Sequence, residues 1–228
     1  VDTLNPSWGR EIAAIRIAEN GALLEQSTHK EQKDHGGFLQ SAIQALLINP
    51  SISLKGLDAI AISAGPGSYT GLRVGMASAK GLCYALNKPL IAIGTLEIEA
   101  FAAILETRVG SLTGPSLFCP MIDARRMEVF TALYDRYMEP VLDPLVMILD
   151  ENSFANRLLK NKIFFFGNGA KKWESICNHK NATFIPVLNN SLAMNKLAYK
   201  KYEYNDFADL AYSEPLYIKE FFGRSAKN

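Results

Sequence analysis

The segment Gly65-Pro66-Gly67-Ser68-Tyr69-Thr70-Gly71-Leu72-Arg73-Val74-Gly75 constrains the fold more than any other part of the chain. It follows a short, mostly apolar run at 57–63 (LDAIAIS) and opens a helical pattern that continues to about Leu86. After that comes a second apolar run, KPLIAIGTL. Strand, glycine-rich turn, helix and strand in that order make a βαβ unit, and therefore a parallel strand pair with a right-handed crossover. Such a turn is also a natural anion site, because backbone N–H groups converge at a helix N-terminus where the dipole adds partial positive charge. Gly65, Gly67 and Gly71 are the residues that would cradle a phosphate. The spacing matches neither familiar phosphate loop: no Lys follows Gly71, and three residues separate Gly67 from Gly71. The competing explanation is a tight turn with close helix packing.

The helix supports close packing. Gly71, Gly75 and Ala79 stand four apart, and so do Ala77, Gly81 and Ala85. Two faces are stripped of bulk. A helical glycine costs about 1 kcal/mol against alanine, so close approach of neighbouring backbones has to compensate. One small-residue face suits the sheet, the other a second helix. That second helix is either the one predicted at 36–48 (GGFLQSAIQALLI) or part of another protein chain. In 36–48, Leu39, Ala42, Ile43 and Leu46 form one apolar stripe, with Phe38, Ala45 and Ile48 beside it. Pro50 ends the pattern.

Elsewhere the order of elements is that of an α/β protein. Residues 11–18 and 22–27 flank Asn20-Gly21, a hairpin signal. The chain opens without Met at Val1, which reads as a trimmed start, and no signal-peptide pattern is read there. A domain boundary is expected at 104–112, before the loop-like Gly110–Pro115. Beyond it, strands are expected at 117–122, 127–134, 163–167 and 183–188, and helices at 152–160, 169–177 and 191–203. A final short element is expected from Pro215, then a loose tail at Gly223–Asn228. The resulting division is 1–106, an α/β domain carrying the glycine-rich turn; 107–190, a second α/β domain; and 191–228, a C-terminal helix and tail packing back on the first.

Charge and rare residues narrow the chemistry. The 228 residues carry 24 Lys plus Arg against 23 Asp plus Glu, a net charge of +1. An autonomous nucleic-acid binder usually shows a basic excess, since each phosphate gripped needs a cation. The cysteines Cys83, Cys119 and Cys177 are odd in number and far apart, which fits a reducing cytoplasm. No apolar run approaches the roughly 20 residues needed to span a bilayer. The histidines His29, His35 and His179 stand at no helical ligand spacing. His35 opens a helix and reads as a cap or surface group. Ser68, Tyr69 and Thr70 offer hydroxyls, yet no His lies near in sequence and no G-x-S-x-G is present. Lys171-Lys172-Trp173 and Lys200-Lys201-Tyr202 read as solvated faces rather than RNA contacts.

Three segments together resemble the bacterial TsaB (YeaZ-like) proteins: SAGPGSYTGLRVGMASAKGLCYAL with KPLIAIGTLE (63–97), MIDARRMEVFTALYD (121–135) and GNGA (167–170). Asp2-Thr3 also matches and His35 stands where the family often has a His, whereas the Leu4-Asn5-Pro6-Ser7-Trp8 stretch departs from the pattern. The resemblance implies the duplicated actin-like/Hsp70-like ATPase fold (ribonuclease H-like) in two domains. It implies a non-catalytic subunit needed for threonylcarbamoyladenosine in tRNA. That subunit pairs with its paralogue TsaD, which holds metal and nucleotide and transfers the threonylcarbamoyl group, and is joined by the P-loop ATPase TsaE. An older label for the group is M22 glycoprotease-like.

TsaD proteins carry an H-x-x-x-H metal pair after the strand that follows the glycine-rich helix. The corresponding positions here are Thr95 and Glu99, so the metal pair is absent, and H-E-x-x-H is absent as well. Asp2 is followed by Thr3-Leu4, without the glycine of the Asp-x-Gly turn that brings backbone to phosphate in actin-like ATPases. The expectation is therefore no catalytic residue, no metal and no cofactor of its own, with ATP or ADP left to the partner or a shared interface. Helices 36–48 and 71–86 are expected to meet their TsaD equivalents, or a second copy when the chain is alone, through Phe38, Ser41, Ala45, Ile48, Met76, Ala77, Gly81 and Tyr84. Asp123, Arg125 and Arg126 form the family's turn motif; either the arginines meet an anionic group of a partner, or Asp123 caps the turn and they are solvated. The alternative function is a nucleotide-binding ATPase using 64–75. A protease reading finds neither nucleophile nor metal set.

Overall fold

The computed structural model describes residues 2–4, 12–29, 35–107, 114–186 and 190–218. The chain begins with an antiparallel sheet of β1 (Asp2–Leu4), β2 (Ile12–Glu19) and β3 (Ala22–His29) in that spatial order. Asn20 and Gly21 close the β2–β3 hairpin with φ of 51° and 79°, the left-handed pair that a two-residue hairpin turn requires. Helix α1 (His35–Leu46) packs Leu39, Ala42 and Leu46 on Ile15 of β2. His35 starts this helix, and its side chain lies outside the described residues.

The predicted βαβ unit is present as β4 (Ile60–Gly65), α2 (Tyr69–Leu86) and β5 (Leu90–Gly94). The strands are parallel, from Ile60↔Leu90 to Gly65↔Gly94. Ser68 caps α2, its Oγ accepting from the Gly71 N–H at 3.4 Å, and Asn87 ends it in the left-handed conformation. Gly71, Gly75 and Ala79 are buried together with Met76 and Cys83, and this face packs on Ile62 and Leu90.

Helix α3 (Thr95–Glu106) follows β5 without a connecting loop. It was not separable in the sequence from the preceding apolar run. Ile98, Ala100, Ala102 and Ala103 are all buried, so no polar face sets a helical period. The mixed sheet that follows has the order β10-β9-β6-β7-β8, from β6 (Ser116–Asp123), β7 (Glu128–Tyr134), β8 (Pro140–Ile148), β9 (Lys162–Phe166) and β10 (Ala182–Phe184). Strands β9 and β10 run parallel to β6, while β7 and β8 are antiparallel.

On one face of this sheet α3 and α6 (Asn190–Glu203) enclose Ile93, Ile98, Phe118, Phe166 and Met194. On the other, Trp173 of α5 (Ala170–Glu174) and Leu158 of α4 (Ala155–Leu158) pack on Phe165 and Phe154. Trp173 is fully buried and its Nε1–H donates to the Asp150 carbonyl at 3.3 Å; truncating such a residue costs about 3–5 kcal/mol.

Several boundaries differ from the expectation. The helices read at 152–160 and 169–177 shrink to the single turns α4 and α5, and the strand read at 183–188 to β10, with 187–189 outside the described residues. The boundary read at 104–112 falls mostly on 108–113, and the tail Gly223–Asn228 lies beyond 218; both are outside the described residues. The segment from Pro215 forms no regular element up to 218. It belongs to an irregular strap, 204–218, that returns to the first half of the chain. Ala208 pairs with Leu90, and the Leu216 N–H donates to the Ala64 carbonyl at 2.7 Å.

Candidate functional site

Three features of the sequence converge around α2: the glycine-rich turn, the exposed side of the helix pair and the junction at the end of β5. At the turn, Gly65 has φ +103°, and a Cβ there would meet Leu72 Cδ1 at 2.9 Å and the Leu216 carbonyl oxygen at 3.3 Å. Packing by α2 and by the strap thus accounts for this glycine. Gly67 makes only ordinary contacts with Leu72, and Gly71 is buried at the helix start. Beside the turn, the Arg73 guanidinium lies 4.1 Å over the Tyr69 ring while its Nε–H donates to the Tyr217 hydroxyl at 3.0 Å. Further along, Lys80 Nζ donates to the Ala211 and Ser213 carbonyls, each at 3.0 Å. The strap is therefore bound along one flank of α2.

On the other flank Val74 packs into the α1 cluster, so α1 and α2 lie side by side. Their outer surface carries Ser41, Ala45 and Ile48 from α1 and its final turn, and Ala77, Gly81 and Tyr84 from α2. Ile48 is 81% exposed and Tyr84 83% exposed. A Cβ on Gly81 would find nothing within 4 Å. Phe38 is half-buried against the α1 cluster, and its carbonyl accepts from Ser41 Oγ. Met76 does not belong to this surface. It is 4% exposed and sits in the core between α2 and β4–β5, because it falls on the same side of the helix as Leu72 and Ala79.

The positions expected to have lost a metal pair are both buried. The Thr95 and Ser63 hydroxyls are 2.8 Å apart, joining the start of α3 to β4. Glu99, one turn further, is buried against the turn after β9, where Gly167 has φ +92°. A Cβ on Gly167 would collide with the Met121 carbonyl oxygen and stand 2.9 Å from Glu99 Oε2. Among the described residues no group of three His, Cys, Asp or Glu side chains could hold a metal ion.

Next to this turn, Asn168 Oδ1 accepts from the Asp123 N–H at 2.7 Å. Asp123 Oδ1 accepts from the Arg125 N–H at 2.6 Å and pairs with Lys172 Nζ at 2.7 Å. Asp123 thus ties the β6–β7 hairpin to the GNGA turn, and Lys172 is held there rather than solvated. Arg125 and Arg126, at φ 70° and 47°, point their exposed side chains away from it. Lys201 pairs with Asp206 at 2.6 Å. Sequence reasoning missed the strap and the Glu99–Gly167 approach. GNGA, with glycines at both 167 and 169, was the available signal for the second.

Burial sets the titration of nearby groups. The Cys119 thiol, fully enclosed, is pushed up to about 12, and burial also raises Cys83. Glu97, on the opposite side of α3 from Glu99, has its carboxyl raised by burial, an effect opposed by Lys201. No helix of the described residues is long and apolar enough to cross a membrane.

Residues 22–215 match the family model described as TsaD: tRNA N6-adenosine threonylcarbamoyltransferase. The chain is 33% identical over 146 residues to the tRNA threonylcarbamoyladenosine biosynthesis protein TsaB of Bacillus subtilis, a match covering 64% of this chain and 58% of that protein. It thus spans less than two thirds of that relative. To the TsaB protein of Haemophilus influenzae it is 27% identical over 201 residues, covering 82% of this chain and 81% of the other. Among solved structures, YeaZ from Pseudomonas aeruginosa superposes with a TM-score of 0.71 at 20% identity, over 90% of this chain and 94% of that one. The fold is that of YeaZ, as expected from the actin-like α/β architecture.

Proposed function

The chain belongs to the TsaD family, on its TsaB/YeaZ side, and from that premise we propose that it serves threonylcarbamoyladenosine formation in tRNA as a non-catalytic partner of a TsaD chain. The observation that carries the pairing is Gly81. It sits mid-helix, costs about 1 kcal/mol relative to alanine, and has no neighbour within 4 Å of its missing Cβ. Nothing inside this chain offsets that cost, whereas a helix backbone from a partner lying on Ala77 and Gly81 does. The flanking Ile48 and Tyr84 supply apolar area on either side, and Ser41 and Ala45 keep the α1 side low. Phe38 supports the α1 edge from below.

The chemistry is assigned to the partner. Thr95 and Glu99 occupy the metal-pair positions and both are buried, so the metal, the nucleotide and the transferred group belong on TsaD or at a shared junction, with TsaE as a further component. Without TsaD, a second copy of this chain takes the same surface.

The test is co-elution of the chain with the TsaD of the same cell, followed by reconstituted tRNA modification. Ala77→Arg and Gly81→Arg place an uncompensated charge in the contact and are expected to abolish co-elution and modification while leaving the free chain folded. An intact complex with either variant would show the surface to be wrongly placed. Micromolar ATP binding by the isolated chain in calorimetry would instead favour a nucleotide-binding protein using Gly65, Gly67 and Gly71.

A further inference from the structure

We propose that the gap between β2 and β4 is an acceptor slot for one more strand: an extended, apolar segment that enters in line with β1, antiparallel to β2 and parallel to β4. Strand β1 pairs only with Ile12–Ala14 of β2. From Ile15 to Glu19, β2 is bonded to β3 on one side, and among the described residues no strand lies on its other side. Strand β4 is bonded to β5 alone, and β1 lies beside it. Two sheet edges with unfilled ladder positions therefore face the same space, an arrangement that folded sheets usually close or cover.

That space is a cavity of about 520 Å³. Ala14–Glu19 form one wall and Asp58–Ala61 the other. Ile43 and Leu46 of α1 close one face, and Met194 and Ala198 of α6 close the other. The helix layers are thus in place above and below an absent strand. A strand enclosed on both faces is apolar along its whole length rather than alternating, which sets the chemistry of the occupant.

An independent observation comes from Asn195 of α6. It is 7% exposed, lines the same cavity, and its Nδ2 has no hydrogen-bond partner. A buried amide donor without an acceptor is strongly disfavoured, and a backbone carbonyl of the inserted strand supplies the acceptor. The pairing register sets the direction. Asp2 stands opposite Ala14 in an antiparallel ladder, so the positions opposite Ile15 to Glu19 are filled by residues on the amino side of Asp2. Five β2 positions, Ile15 to Glu19, are available.

The test compares three forms of the chain: as it stands, with Val-Ala-Ile-Ala-Val fused ahead of Val1, and with Gly-Ser-Gly-Ser-Gly fused there. The apolar fusion is expected to slow amide exchange at Ile15–Glu19 and Ile60–Ala61 at least tenfold and to raise Tm, and the Gly/Ser fusion to do neither. Trp173 fluorescence confirms that the second sheet stays folded in all three. Equal exchange in the three forms would overturn the proposal. Protection by Val-Ala-Ile-Ala-Val added as a free capped peptide, with none from the fusion, would overturn the in-line entry.

Discussion

The Ser63 hydroxyl lies 2.8 Å from the Thr95 hydroxyl, and both residues are buried. This bond closes the seam between β4 and α3 at the position where a TsaD-type metal pair begins. Ser63→Ala is expected to cost about 1–2 kcal/mol, because it leaves the Thr95 hydroxyl buried without that partner. Thr95→Val costs a similar amount by the converse route. In the double variant, which removes both hydroxyls, the loss should fall well short of the sum. Urea denaturation of the four proteins measures this, and strict additivity would show that the two hydroxyls are not coupled.

Gly167→Ala should be among the most damaging single changes in the chain. The added Cβ meets the Met121 carbonyl oxygen and Glu99 Oε2, and φ +92° is strained for alanine. A loss of about 3 kcal/mol or more is expected. Gly114→Ala is the comparison: its φ is +88°, but no atom lies within 4 Å, so only the backbone strain of about 1 kcal/mol applies. Thermal unfolding separates the two.

Gly81→Ala should stabilise the free chain. Nothing obstructs the methyl group, and replacing a mid-helix glycine gains about 0.5–1 kcal/mol, equivalent to roughly 2–4 °C in Tm for a chain of this size. The same variant should weaken co-elution with TsaD, because a partner backbone packed on position 81 would be displaced. A gain in both Tm and affinity would contradict close approach at this glycine.

Stability should carry a pH dependence traceable to Glu97. Burial raises its carboxyl pKa in the folded state, with Lys201, the Gly94 backbone amide and Lys200 opposing and Asp206 reinforcing the shift. The folded chain therefore favours the protonated acid. That contribution is complete below the ordinary carboxylate value of about 4.3 and is lost as pH rises through the raised value. Glu97→Gln should remove this loss. The variant is expected to be more stable than the parent at pH 7, with the advantage shrinking toward pH 4. An advantage independent of pH would assign the effect to packing instead.

What the sequence made legible was local and glycine-marked. Asn20-Gly21, the Gly65–Gly75 turn and the small-residue faces of α2 each encode a backbone constraint, and each lies where it was expected. Strand β8 was not legible. Pro140 and Pro144 interrupt its pattern, and they are tolerated because β8 is the edge of its sheet. Helix α3 was hidden for the opposite reason, since it is enclosed on all sides and carries no periodic polar face. Met76 was misplaced on the outer surface because helical spacing alone does not say which of two apolar stripes meets the sheet. Long-range contacts such as Lys80 to Ser213 and Glu99 to Gly167 leave little trace in a single sequence. They bring together residues more than sixty positions apart, and short motifs register only neighbours.

The bond from Leu216 to Ala64 also bears on how the chain is made. Ala64 leaves the ribosome about 150 residues before the segment that finishes packing around it, at the few residues per second to about twenty typical of translation. Through that interval the first half of the molecule has its βαβ unit but not the strap along α2. Its final docking is thus a late, post-synthetic event, and the flank of α2 that carries Arg73 and Lys80 is the last part of the surface to take shape.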